Sequence, residues 1–342
     1  MADKEKSRLK GIDALRGIAA FVVLFYHYFT NYHKYYGHPF DSSYLLSYGH
    51  YGVNLFFMIS GFVIFMTIER KKNGVSFAVS RFSRLFPTYW AAVSISFIVL
   101  LLNPLEGREV EFSQYLINLS LLQGFLYTKH IDHVYWTLTL EIAFYCWIGL
   151  SLLIFKKNII REGLCIWVLI TLIIQLFAIE LSPPKSNAIV LHFIYLFAIG
   201  VCVYDLHQKN FSYASLSLFF ISILTLMLTE NQQTIFITLG LLASFILVIH
   251  KRIPLLELTA LQIAGKISYA LYLVHQNIGY VIISAMYTYF GHTSIVGAAA
   301  ISLATITTVA IALALHKYVE QPSLTLLRTG FAKILPQKAY GS

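Results

Sequence analysis

Ten apolar stretches recur along this chain, each near the roughly 20 residues that a helix needs to cross a bilayer. They cover residues 12–31, 51–68, 86–102, 135–155, 164–181, 189–204, 211–229, 234–249, 267–290 and 294–316. Segment 115–127 is also apolar but short, which suits a re-entrant or interfacial piece. Hydrophobic residues make up 58% of the chain and charged residues 12%, where a soluble domain carries about 25% charged. Mean hydropathy is +0.69. A chain of 342 residues cannot hide that much apolar surface from water. The fold class predicted is an all-α, polytopic membrane helix bundle of about ten spans.

Lysine and arginine set the orientation. With an even number of spans both termini share a side. That side holds Lys4, Lys6, Arg8, Lys10, Arg70, Lys71, Lys72, Arg81, Arg84, Lys156, Lys157, Arg161, Lys209, Lys251, Arg252, Arg328, Lys333 and Lys338. The other side holds Lys34, Arg108, Lys129 and Lys185. The bias predicts both termini in the cytoplasm. The formal net charge of +9 would raise nucleic acid as a partner of a soluble protein. Here the basic residues lie between apolar runs, so they answer to an anionic leaflet and no nucleic-acid partner is expected. Cys146, Cys165 and Cys202 lie inside apolar stretches without a C-x-x-C pair, which argues against a disulfide framework or a zinc site. The first apolar run is long, carries Arg16 and His27, and lacks a small-residue cleavage motif; it reads as a spanning helix and not a signal peptide.

Ionisable groups at membrane depth are costly and mark candidate sites. Arg16 and His27 are eleven residues apart, so on a helix they return to within about 20° of each other and differ by roughly 16 Å in height. With Arg16 near one boundary, His27 falls near mid-membrane, where an imidazole can accept a proton. The plainer reading is a buried polar pair that fixes packing. Arg81 and Arg84, at i, i+3, share a helix face and can clamp phosphates, or can simply set topology and touch headgroups. Glu141 lies about 9 Å into its helix from Tyr135; it either pairs structurally or acts on a hydroxyl. Tyr269, Tyr272 and His275 step along one face, which is either a packed polar face or part of a site. His130, Asp132 and His133 resemble half of a metal site, but lack further ligands in pattern, so no metal is expected.

The motifs come in a particular order: L-K-G-I-D-A-L-R-G-I-A-A from Leu9, then His27, G-V-N-L-F-F-M-I-S-G-F-V-I-F from Gly52, and R-F-S-R-L-F-P-T-Y-W from Arg81. Next come Y-W-T-L-T-L-E-I-A-F-Y from Tyr135, G-K-I-S-Y-A-L-Y-L-V-H from Gly265, and V-E-Q-P near the end. From Leu9 to about Ser323 the chain resembles the membrane-bound acyltransferase family 3, inner-membrane O-acyltransferases that modify sugars. The resemblance implies transfer of an acyl group, with acetyl expected, from cytoplasmic acyl-CoA to a hydroxyl of a surface polysaccharide, lipopolysaccharide, peptidoglycan or secreted glycoside. It implies a bacterial inner-membrane location, acyl-CoA as co-substrate with no permanently bound cofactor, and association with a polysaccharide-synthesis or export complex.

By the same resemblance, His27 matches the catalytic histidine, with Glu141 as the acidic position of the fourth helix. Arg16 matches the partner arginine, and Arg81 and Arg84 the acyl-CoA-binding pair. Trp136, Tyr269 and His275 are the substrate-side candidates, Trp136 or Tyr269 as an oxyanion donor. Residues 1–325 read as the acyltransferase domain and 326–342 as a short basic cytoplasmic tail, without the hydrolase-like domain of some members. The competing readings are a transporter of a glycan or lipid-linked sugar, though no internal repeat supports it, and an assembly subunit in which the motif residues only pack.

Overall fold

The computed structural model describes residues 2–70, 74–155, 159–250 and 253–334. Lys71, Lys72, Lys156, Lys157, Lys251, Arg252 and Lys338, counted above for orientation, lie outside the described residues, as do the side chains of Lys4, Lys6, Arg8, Arg70, Arg328 and Lys333. Among the described residues every regular element is helical.

Ten helices carry the ten apolar stretches: α1 Ala2–Tyr26, α2 Gly52–Arg70, α3 Gly74–Leu102, α4 Trp136–Ile154 and α5 Ile160–Leu176. The second half holds α6 Ile194–Gln208, α7 Tyr213–Thr229, α8 Gln232–Ile249, α9 Thr259–Phe290 and α10 Ser294–Leu315. They run alternately up and down. The end where α1 begins is called the near end below, and the other the far end. Among the described residues, six helical segments are long and apolar enough to cross a membrane: Lys10–Tyr36, Ser47–Glu69, Gly74–Leu102, His133–Ile154, Gln232–Ile249 and Ser294–Leu327. The chain is a multi-pass helical membrane protein. α9 is not among the six for a physical reason. Its 32 residues extend about 48 Å, more than the roughly 30 Å of a hydrocarbon core. Its middle, however, carries His275, Gln276 and Asn277, at 0%, 1% and 0% exposure. Hydropathy counts these polar groups against the helix, although its neighbours and not lipid surround them.

Glycines let the central helices touch. A Cβ on Gly265 of α9 would lie 2.1 Å from the Asp13 carbonyl oxygen of α1, and one on Gly17 would lie 2.6 Å from the Gly265 nitrogen. α2 and α6 meet in the same way through Gly61 and Gly200. Such small-residue crossings are how membrane helices gain van der Waals contact when no hydrophobic force separates protein from lipid. On the near side, Arg161 of α5 grips Asp205 of α6 through two bonds of 2.8 and 2.6 Å, and Ser215 of α7 donates to the same carboxylate. This bidentate pair ties three helices together. Segment 115–127 takes in the end of the short helix Phe112–Leu119 and the turn Gln123–Phe125. It is held against α3 by Tyr89 and Trp90, which donate to the Asn118 and Leu119 carbonyls. The helix Gln321–Ile334 runs across the boundary drawn at 325 between domain and tail, and packs on α3.

Candidate active site

α1 passes through the middle of the bundle against α9, and its last turn changes form. Residues His27–Asn31 make a π-helical turn, a widening that often accompanies a functional side chain. His27 at its start is 9% exposed. Its Nδ1 lies 2.9 Å from the Val23 carbonyl oxygen and 2.9 Å from Nε2 of His275, a residue 248 positions away.

These contacts determine which nitrogen is the base. His275 Nδ1 lies 3.1 and 2.9 Å from the Leu271 and Tyr272 carbonyls. Carbonyls only accept, so His275 Nδ1 carries its ring proton and Nε2 accepts. His27 Nδ1 faces that acceptor and a carbonyl, so it too carries a proton. In the neutral ring the lone pair is then on His27 Nε2, which has no partner among the described residues. The α9 backbone is held around this pair. Tyr28 donates to the His275 carbonyl, Tyr135 donates to the Leu273 carbonyl, and the Asn277 amide donates to Asp132 Oδ2 at 3.1 Å.

Two cavities open in this part of the bundle, and the far one reaches the pair through His27. The near cavity, of about 110 Å³, is lined by Arg16, Arg81, Arg84, Glu141, Ser60, Tyr145 and Tyr269 among others. Three guanidiniums face Glu141 there, and Glu320 lies behind Arg84. Glu141 accepts from Ser60 Oγ at 2.9 Å and from the Tyr145 hydroxyl. Arg84 is paired with buried Glu320, which His316 also contacts at 2.9 Å. Arg81 donates to Thr67 at 3.0 Å, but its Nε is buried without a partner. Neither Arg16 nor Arg81 has an acidic partner within 4 Å among the described residues. A buried, unpaired guanidinium N–H is costly, and an anion would satisfy it. The far cavity, about 460 Å³, is lined by His27, Asn31, Lys34, His50, Arg108, His133, Trp136 and Gln276 among others. Val53 and Tyr272 line both cavities and form the shared wall.

The structure brings together Arg16, Arg81, Arg84 and Glu141, but on the opposite side of the wall from His27. Glu141 therefore belongs with the arginines and not beside the histidine as a second catalytic group. Arg81 and Arg84 share a helix face as their spacing predicts, yet they differ: Glu320 already neutralises Arg84. The three substrate-side candidates part company. Trp136 lines the far cavity between the Phe57 and Phe193 rings. Tyr269 lines the near cavity with its hydroxyl committed to the Leu85 carbonyl at 2.9 Å, so it is no free oxyanion donor. His275 is fully buried, reaches neither cavity, and contacts His27 in place of a substrate. Glu320, in V-E-Q-P, and Arg108, in a connection read as outer, were not among the candidate site residues. Both carried a signal: an acid at the end of an apolar helix, and a cation in connections that hold few.

The His130, Asp132, His133 trio is a scaffold corner. Among the described residues no group of three potential ligands is placed to hold a metal. Asp132 is fully buried and accepts amide protons from Val134 and Asn277. Burial raises its carboxyl to about 6, against the pull of Arg108 and of the two amides. The folded value lies above that of an unfolded aspartate. The stability linked to this group is therefore complete below about pH 4 and lost as pH rises through about 6, on the order of 3 kcal/mol in all. Unfolding temperatures of wild type and Asp132→Asn between these pH values should show that component of the slope in the wild type alone; parallel curves would refute it.

The helical bundle and its paired cavities, one cationic and one holding an unpartnered imidazole nitrogen, define a multi-pass membrane protein with the parts of a group-transfer catalyst. Residues 9–317 match the family described as "Acyltransferase domain" (Acyl_transf_3), and the chain belongs to that family. It is similar to Nodulation protein 10 of Rhizobium leguminosarum bv. viciae, 28% identical over 167 residues, which is 42% of this chain and 44% of that protein. The match thus spans less than half the length of the relative. No solved structure matches.

Proposed function

We propose that this acyltransferase moves an acyl group, acetyl in the simplest case, from cytoplasmic acyl-CoA to a hydroxyl of a surface or exported glycan. The chain lies in the bacterial inner membrane with ten spans and both termini in the cytoplasm, so the near cavity faces cytoplasm and the far cavity faces outward. One observation carries this reading: the cation-rich cavity and the cavity holding His27 share a wall at Val53 and Tyr272.

Arg16 and Arg81 bind the CoA phosphates, with Arg84 held alongside them by Glu320. The acyl-pantetheine arm passes the shared wall to reach His27. His27 Nε2 removes the proton from the acceptor hydroxyl. The oxygen attacks the thioester carbonyl, the C–S bond breaks, and the proton passes from His27 to the departing thiolate, giving an ester and free CoA. His275 acts as a positioning residue that keeps the proton on His27 Nδ1. Glu141 orders the cationic side through Ser60 and Tyr145, and Trp136 walls the acceptor side.

Titration of purified protein with acetyl-CoA tests the donor half. Arg81→Ala should weaken binding by about 10- to 100-fold, the worth of one charge-assisted contact. An unchanged Kd in that variant and in Arg16→Ala would remove the near cavity from the mechanism.

A further inference from the structure

We propose that the far cavity binds an anionic saccharide, a sugar carrying a carboxylate or a phosphate, with Arg108 as its charge reader. The inference rests on the acyl-transfer reading above and names the acceptor class. Arg108 comes from the connection after α3 and turns inward. Its Nη1 donates to Asn277 Oδ1 at 2.5 Å, and its guanidinium lies over the Tyr280 ring at 4.7 Å. Of its five donors, Asn277 takes one. No carboxylate lies within 4 Å of it among the described residues. A half-buried guanidinium so arranged presents a fork that fits a carboxylate or phosphate in two-point contact. Lys34 adds a second cation at the rim, and Glu230, the one acid in the lining, is hydrogen-bonded by Tyr195 at 3.2 Å.

The second observation is independent of charge. Gln276 lines the same cavity at 1% exposure, and its Oε1 has no partner. Its Nε2 lies 3.5 Å from the Tyr280 hydroxyl. Turning the carboxamide over would exchange the two atoms and still leave one of them unpaired. Buried polar atoms are seldom left so, and a sugar hydroxyl supplies both a donor and an acceptor. The space, about 460 Å³, lies within the usual 300–1,000 Å³ of a small-molecule site and admits a sugar ring. His27 opens into the same space, so a saccharide anchored at Arg108 and Gln276 offers its hydroxyls to the base.

The test uses the full chain in phosphatidylcholine nanodiscs and two matched ligand pairs: trigalacturonate with its carboxyl-reduced form, and mannose 6-phosphate with mannose. At least one anionic member should bind 10-fold or more tighter than its neutral partner, and the pair that responds tells carboxylate from phosphate. Arg108→Gln should erase that preference, bringing the anionic member down to the affinity of its neutral partner, and Arg108→Lys should keep part of it. Equal affinity within both pairs overturns the proposal, as does a preference that survives Arg108→Gln. So does loss of the preference on adding phosphatidylglycerol, which would make the occupant a lipid headgroup. Acetyl-CoA is titrated on the same nanodiscs. Acetyl-CoA binding without anionic preference sinks the acceptor assignment alone, whereas anionic preference without acetyl-CoA binding sinks the acyl-transfer reading and leaves the site.

Discussion

Replacement of His27 by alanine is expected to lower acyl transfer by about 10²- to 10⁴-fold, the usual worth of a positioned general base, while the protein still folds in the membrane. His27 is the first residue of a π turn, and it makes no hydrogen bond that the bundle needs beyond those to Val23 and His275. Acetyl-CoA binding should survive, because the cations belong to the cavity across the Val53 and Tyr272 wall. His275→Gln offers the informative contrast. It leaves Nε2 of His27 in place but weakens the control over which nitrogen carries the proton. Its kcat should fall with little change in KM, and its pH–rate profile should shift. Steady-state kinetics on both variants, with size-exclusion profiles to verify folding, would decide. Normal turnover by His27→Ala would leave the general-base assignment untenable.

Gly265→Leu is expected to abolish the folded protein, although residue 265 touches neither the imidazole pair nor any proposed ligand. A Cβ there meets the Asp13 carbonyl oxygen at 2.1 Å and the Asp13 carbonyl carbon at 2.4 Å. Backbone cannot swing aside as a side chain can, so α1 and α9 must separate along their central crossing. Overpacking a core costs about 1–3 kcal/mol when side chains can adjust, and here the cost lies at or above the top of that range. The separation also parts His27 from His275. Gly240→Leu is the control, since no atom lies within 4 Å of the Cβ it would add. Thermal unfolding in detergent should show Gly240→Leu at the wild-type midpoint and Gly265→Leu without a transition. A folded Gly265→Leu protein would mean that this crossing is not the constraint described.

Much of the architecture was legible in the residues. Each apolar stretch lies largely on one of the ten helices, because length and composition are local properties. The shared face of Arg81 and Arg84 followed from helical spacing in the same way. Depth along a helix was legible too, since it follows from rise per residue. Local patterning could not tell a hydropathy window where polar groups point. This is why α9, with His275, Gln276 and Asn277 turned inward, falls outside the six helical segments that qualify on composition.

By itself the sequence determined a helical membrane bundle, its family motifs, and which ionisable side chains interrupt its apolar stretches, because periodicity, hydropathy and spacing all act within one helix. Only the tertiary structure decided partners. It set His275 against His27 across 248 positions, matched Glu320 to Arg84, and moved Glu141 to the cationic side of a wall that no single helix contains. The reason is that a helix fixes the direction of its side chains about its own axis, whereas what they meet depends on where two helices cross. Here the crossing is set by glycines at 17 and 265, through backbone contact.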